Sequence, residues 1–291
     1  MNDVIAFSPA MRETLATALD VAPGPTTVLL RGESGSGKEV LARFIHAMSP
    51  RAPLPFTVLS CVTFDEREVA NALQHGGTVV FDELSALNVN AQALLLRLLE
   101  TAHTSRVIAT TNRNLADLVE RGQLRSDLSY RLDVYPVNVP PLRDRREDLA
   151  ALTDMLLTRI AHGLGRTPAS ITRDARAAIE AVEWPGNVRE LANVLERAVI
   201  RSRTQVIDVS DLSLSPQRNP SNPFPSTLPL ALEQLEALAI AEALRRTGGN
   251  RTHAARLLNI GLRTLRQKLN GPSRAVNESV TMSTAEAGEA S

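Results

Sequence analysis

Seven residues, Gly32-Glu33-Ser34-Gly35-Ser36-Gly37-Lys38, follow an apolar β-branched run (Thr26 to Leu30) and open a helix-like one (Glu39 to Met48). Glycines at this spacing let the backbone approach a polyphosphate with its N–H groups turned inward. The start of the helix adds positive partial charge, and the Lys38 ammonium reaches the outer phosphates. The usual pattern ends in Lys-Ser or Lys-Thr, whose hydroxyl holds Mg²⁺, but Glu39 stands there. The metal must then be held differently, by Glu39 itself, by Asp82 or through water. A second element, Thr78-Val79-Val80-Phe81-Asp82-Glu83, is an apolar strand ending in two carboxylates. Beside a phosphate loop, Asp82 suits Mg²⁺ and Glu83 suits the orientation of an attacking water, although paired acids also close strands merely to solvate them. Asn112 ends another apolar run, where its amide either serves the same site or caps the following helix.

The elements that must position these groups are legible as hydrophobic periodicity. Thr26–Leu30, Phe56–Ser60, Thr78–Phe81, Arg106–Thr110 and Val134–Val139 read as buried strands alternating with helices, which predicts an α/β fold with a parallel sheet. From Leu142 to about Leu214 the strands stop and apolar residues recur at helical spacing, among them Leu149, Leu152, Leu156, Ile179, Leu191 and Leu195. The expected divisions are an α/β subdomain over 1–141, a helical subdomain over 142–212, a Pro-rich linker over 213–227, a second helical unit over 228–271 and a disordered polar tail over 272–291.

A chain of 291 residues, 43% hydrophobic and 22% charged, has room for about two domains around a sizeable core. The formal net charge is zero, so whole-chain charge says nothing about nucleic acid. Cys61 is the sole cysteine, which excludes an intramolecular disulfide and offers no support for a Cys/His zinc cluster. No signal-peptide core and no apolar run near the ~18 residues of a membrane span is present, and a reducing cytoplasm is expected, with no membrane association. Only two of the 32 basic residues are lysines, Lys38 and Lys268.

The unit at 228–271 has seven Arg/Lys against three Glu, and its last predicted helix, Leu262 to Leu269, carries Arg263, Arg266 and Lys268 with no acid. Thr252 is placed to cap the helix before it. Helix, turn and basic helix suit a reader of the DNA major groove, while a dimerisation unit with a solvated basic face has the same pattern.

Taken in order, Gly32–Glu39, the Asp82-Glu83 strand end, Ala109–Leu115, Leu124–Leu132, Pro140–Leu149 and Trp184-Pro-Gly-Asn-Val-Arg-Glu-Leu191 resemble the central ATPase of bacterial enhancer-binding proteins, the sigma-54-dependent activators within the AAA+ class. The resemblance covers roughly residues 1–212. It implies an AAA+ parallel sheet with flanking helices and a helical lid. It further implies ATP and Mg²⁺ as cofactors, with Gly32, Glu33, Ser34, Gly35, Ser36, Gly37, Lys38, Glu39, Asp82 and Arg189 at the nucleotide and Asp82 or Glu39 at the metal. Glu83 acts on water, Asn112 is the first sensor, and Arg189 is the second. Arg125 and Arg131 fall in the arginine-finger segment, which in such rings enters the neighbouring subunit's site and so requires a homo-oligomer, anywhere from a dimer to a hexamer. Without the resemblance, these two arginines beside Asp127 read as a surface salt-bridge group. Gly249–Ile260 and Thr264–Leu269 resemble the Fis-type helix-turn-helix. That implies contact with double-stranded DNA through Arg251, Thr252, Arg263, Thr264, Arg266 and Lys268.

Three departures from the family shape the functional expectation. The loop with a Gly-Ala-Phe-Thr-Gly-Ala sequence that touches sigma-54 is absent, since Cys61 reaches Gly76 through Val62 to His75 alone; Thr101 to Ser105 is likewise too short for the second inserted hairpin. Ser60 stands where the family has an Asn that switches the catalytic Glu. No receiver or sensory domain is expected ahead of the ATPase. Two functions remain: a DNA-bound regulator that hydrolyses ATP and acts on RNA polymerase by another route, or a non-hydrolysing nucleotide-controlled switch that partners a loop-bearing regulator.

Overall fold

A computed structural model describes residues 4–101, 103–202 and 206–214, and in the C-terminal part 240, 243–244, 247, 250–258, 260–261 and 264–265. The chain divides into two compact units, Met1–Leu214 and Ser215–Ser291.

Five parallel strands form the sheet of the first unit: β1 (Val28–Arg31), β2 (Phe56–Ser60), β3 (Thr78–Asp82), β4 (Arg106–Thr111) and β5 (Tyr135–Asn138), in the order β2-β3-β4-β1-β5. Alternate residues of the inner strands feed two cores, because successive side chains of a strand leave opposite faces. Leu29, Val79, Phe81, Val107 and Ala109 pack beneath α3 (Glu66–Gln74), α4 (Val89–Glu100), α5 (Leu115–Glu120) and α6 (Ser126–Leu132). Val28, Leu30, Val80, Ile108 and Val137 pack against α1 (Pro9–Val21) and α2 (Lys38–Ala47). The register levels Arg31 with Thr111 and Ser60 with Asp82, so the ends of β1, β3 and β4 open at one edge of the sheet. The five predicted strands are present, with ends shifted by no more than two residues.

The buried Arg106, 1% exposed, begins β4 and donates to the carbonyls of Val21, Ala22 and Thr26. It thereby satisfies the end of α1 and the connection into β1. Desolvation pulls its pKa down to about 10.

The helical part of this unit comprises α7 (Leu149–Gly163), α8 (Arg173–Glu180) and α9 (Asn187–Arg201) around Leu152, Leu157, Ile179, Trp184, Leu191 and Leu195. Strands do not stop at Leu142, as the periodicity had suggested: β6 (Ser170–Ile171) pairs in parallel with β7 (Val206–Ile207). Two-residue strands carry too little alternation to register as a pattern.

In the second unit, Ile240, Ala243, Ala254, Ala255 and Leu265 form a small core around α10 (Arg251–Leu257). Asn250, and not Thr252, caps α10, accepting from the N–H groups of Thr252 and His253 at 3.1 and 3.2 Å. Thr252 falls within the first turn instead. Arg251, Thr252 and Thr264 are exposed. Arg263, Arg266 and Lys268, the tail, and the linker beyond residue 214 lie outside the described residues. No helix among the described residues is long and apolar enough to cross a membrane.

Candidate functional site

The loop leaving β1 packs too tightly for side chains at its glycines. A Cβ on Gly32 would lie 2.6 Å from the Val139 carbonyl oxygen, and one on Gly35, at φ 76°, would lie 2.4 Å from that of Gly186. Gly37, at φ 105°, occupies the N-cap of α2 and supplies no side-chain cap, so the first N–H groups of that helix remain available to an anion. Lys38 Nζ donates to the carbonyls of Gly32 (2.8 Å) and Glu33 (3.0 Å), which folds the ammonium over the loop. Burial lowers the Lys38 pKa, and Glu83 and Asp82 pull it back up. The Ser36 hydroxyl is buried and has no partner among the described residues. A narrow loop, a free helix N-terminus and an inward lysine fit a polyphosphate.

Across the sheet edge, Thr110 Oγ1 donates to Asp82 Oδ1 at 2.7 Å and accepts the Glu83 N–H at 3.0 Å, which locks the two acids to the end of β4. Glu83 itself sits in the left-handed region at φ 62°, which bends the chain sharply out of β3. Its Oε1 accepts from Ser85 Oγ at 2.7 Å and from the Asn112 N–H at 3.2 Å. Asn112 is exposed; the helix that follows is capped by Asn114, whose Oδ1 accepts from the Ala116 N–H. The capping alternative for Asn112 is thereby excluded.

The remainder of the site comes from the helical part of the same unit. Arg143 forks Glu33 with hydrogen bonds of 2.9 and 2.7 Å, and Asn187 Nδ2 donates to the same carboxylate at 3.0 Å and to the Ser34 carbonyl at 3.1 Å. Asn187 is fully buried at φ 54°, and its Oδ1 accepts the Leu142 N–H at 2.7 Å. Val188 N–H donates to the Gly35 carbonyl, Arg145 Nη2 to that of Ser36 at 2.6 Å, and Arg189 Nη1 to Ser34 Oγ at 2.7 Å. The carbonyls of Ser34, Gly35 and Ser36 are thus taken by Asn187, Val188 and Arg145, which anchors the outer side of the loop. Asp148, completely buried, accepts from the N–H groups of Phe7 and Ser8 and from Ser8 Oγ, tying the start of α1 to the same region.

Two expectations are revised by this geometry. The Glu33 carboxylate is engaged by Arg143 and Asn187, so it joins the loop to the helical part rather than facing a phosphate. Glu39 pairs with Arg43 one turn further along α2, at 2.7 Å on an exposed face, which leaves Asp82 the better-placed metal ligand. Among the described residues no cluster of three or more His, Cys, Asp or Glu could hold a metal by itself. Asp82 would therefore share Mg²⁺ with phosphate oxygens and water, as that ion prefers. The sequence alone gives Arg143, Arg145, Thr110 and Ser85 no role; for the arginines the signal is their place in the Pro140–Leu149 stretch after β5.

Arg125 pairs with Asp127 on the surface at 2.7 Å. Arg131 Nη2 donates to the Leu99 carbonyl at the last turn of α4 and lines a cavity of about 370 Å³ with Pro25, Thr26, Thr27 and Val134. Those residues precede β1 and β5, whereas the phosphate loop follows β1. About 13 Å of strand separates the two edges, so the Arg131 guanidinium faces away from its own loop.

Residues 5–142 match the sigma-54 interaction domain, 143–227 the AAA+ ATPase lid domain and 231–270 the bacterial regulatory protein Fis family. The transcriptional regulatory protein FlbD of Caulobacter vibrioides is 33% identical over 94% of this chain and 70% of its own length. The transcriptional regulatory protein ZraR of Klebsiella oxytoca is 36% identical over 92% and 68%. Among solved structures, NtrX from Brucella abortus in complex with ADP superposes with a TM-score of 0.67 at 30% identity, covering 92% of this chain and 68% of that one. The sigma-54 interaction domain, the AAA+ lid and the Fis-type unit follow one another along the sequence, and the chain belongs to the family of sigma-54-dependent transcriptional regulators.

Proposed function

We propose that this chain binds ATP with Mg²⁺ at residues 32–38, hydrolyses it, and uses the cycle to assemble or move a DNA-bound ring that acts on RNA polymerase without remodelling sigma-54 itself. The observation that carries this reading is the convergence of Lys38, Asp82 and Glu83 at one sheet edge beneath the lid residue Arg189. NtrX, a relative, was solved with ATP as well as ADP. Bound Mg²⁺ would neutralise charge on the phosphates. Lys38 and the loop N–H groups bind and orient the polyphosphate, and Glu83 holds the attacking water. The water oxygen forms its bond to the terminal phosphorus, the bridging P–O bond breaks with its electron pair leaving on ADP, and the water proton passes to the Glu83 carboxylate.

Arg131, turned from its own loop, supports action in a neighbouring copy, hence a homo-oligomer. The Fis-type unit supports binding to double-stranded DNA, with Arg251, Thr252, Arg263, Thr264, Arg266 and Lys268 as its contacts. The sigma-54 contact is where the chain diverges. Between Ser60 and Glu66 only residues 61–65 connect β2 to α3, and only 101–105 connect α4 to β4, too few to project a loop from the ring.

A second reading, a nucleotide-controlled switch that does not hydrolyse and partners a loop-bearing regulator, is favoured by Ser60, whose hydroxyl accepts the Val62 N–H at 3.3 Å in its own loop. Nucleotide affinity and turnover separate the two. Lys38→Ala loses ATP binding, whereas Glu83→Gln keeps it and loses hydrolysis. Equal loss of binding in both variants contradicts the division of roles, and a wild-type protein that binds ATP without turning it over selects the switch.

A further inference from the structure

Glu83 occupies a strained backbone position, and three groups determine where its carboxylate points. The Thr110 hydroxyl is used twice, as donor to Asp82 and acceptor from the Glu83 N–H, and fixes the backbone. Ser85 Oγ at 2.7 Å and the Asn112 N–H at 3.2 Å both fall on Oε1. Oε2 is thereby left to take the water. Ser85 lies two residues on, in the single turn Leu84–Ala86, whose Ala86 N–H donates to the Glu83 carbonyl at 3.0 Å. The half-buried hydroxyl and the carboxylate therefore form one local unit. On the neighbouring strand Ser60 is level with Asp82, but its hydroxyl serves Val62.

We propose that Ser85 is the positioning residue for Glu83: its hydroxyl holds Oε1 and aims Oε2 at the water, within the turn after β3 and independently of the connection between β2 and α3. This rests on the ATP hydrolysis proposed above. Its consequence is that the hydrolytic carboxylate is set by its own turn and the end of β4 and is not relayed to from residues 61–65, so turnover proceeds without a signal from that segment.

The test compares wild type, Ser85→Ala and Ser85→Thr in steady-state ATP hydrolysis, with crystal structures of the three nucleotide-free proteins. Ser85→Ala lowers kcat about tenfold or more, as expected for a misaimed group, with KM for ATP within about twofold because the loop is untouched. Ser85→Thr restores the hydroxyl and most of kcat. In the crystals Glu83 keeps one side-chain position in wild type and Ser85→Thr and leaves it in Ser85→Ala. A Ser85→Ala protein with wild-type kcat, a matching rise in KM, or a threonine variant as slow as the alanine one each overturns the proposal. If wild type does not hydrolyse ATP, the proposed function fails by that result, and a Glu83 side chain unmoved by Ser85→Ala overturns the positioning role separately.

Discussion

Arg143 grips both oxygens of Glu33 across 110 residues of chain, at 2.9 and 2.7 Å, and in doing so fastens the phosphate loop to the helical part that follows the sheet. The fork holds the Glu33 carboxyl below its ordinary value of 4.5, and the Asn187 hydrogen bond acts in the same direction against partial burial. A depressed carboxyl stabilises the fold above its unfolded pKa and loses that contribution as pH falls through the folded one. Both side chains are about two-fifths exposed, 42% and 41%, so the pair is worth no more than about 1 kcal/mol. Glu33→Gln is therefore expected to be slightly less stable than wild type at pH 7 and to become equal to it in acid, once pH has fallen through the lowered Glu33 pKa. Urea titrations at pH 7 and in acid check this; a difference that persists unchanged in acid contradicts it.

The heavier part of the same joint is Asn187. Replacing it with Ala leaves the buried Leu142 N–H without its acceptor, frees the Ser34 carbonyl, and puts a residue with no local hydrogen bond at φ 54°. A loss of about 3 kcal/mol follows, well above that for Arg143→Ala. Chemical denaturation of the two variants ranks them, and the reverse order would refute this account of the joint.

At this joint the pattern of the sequence no longer gives the partners. Runs such as Thr78–Phe81 and Gly32–Lys38 declare themselves locally, because period-two burial and glycine spacing are written within a few residues. Glu33 and Arg143, or Arg145 and the Ser36 carbonyl, meet only after the sheet has folded and are 109 or 110 residues apart. Glu39 read as a metal candidate because its position in the motif was visible, whereas its partner one helical turn away decides its orientation. Arg106 sits in an apolar strand as an apparent misfit until the carbonyls of Val21, Ala22 and Thr26 surround it. Asn250 took the cap assigned to Thr252 since an Asx side chain reaches the second and third N–H groups from outside the helix.

Arg131 supplies a prediction about assembly. Its guanidinium lies at the sheet edge opposite its own loop, and as the arginine finger proposed above it would complete a site only in a neighbouring copy. Mixing inactive Arg131→Ala with inactive Glu83→Gln restores part of the ATP turnover, because some interfaces combine an intact arginine with an intact glutamate. Absence of any recovery, or a wild type that stays monomeric with ATP at every accessible concentration, rules the role out.

The C-terminal unit is a separate compact body. Removing residues 228–291 is expected to eliminate specific DNA binding and to spare ATP turnover. Arg263→Ala and Arg266→Ala each weaken operator binding by about 1–3 kcal/mol if that side chain reads a guanine. Gel-shift titration measures this, and unchanged affinity in both variants refutes the assignment of the last helix.

The proposed ring hydrolyses ATP yet has nothing with which to push on sigma-54, since residues 61–65 and 101–105 are short connections. Permanganate footprinting of a purified sigma-54 promoter complex, with this protein, ATP and its enhancer DNA, tests the claim directly. The account predicts ATP consumption with no reactive thymines at the start site; ATP-dependent strand opening by this chain alone would contradict it.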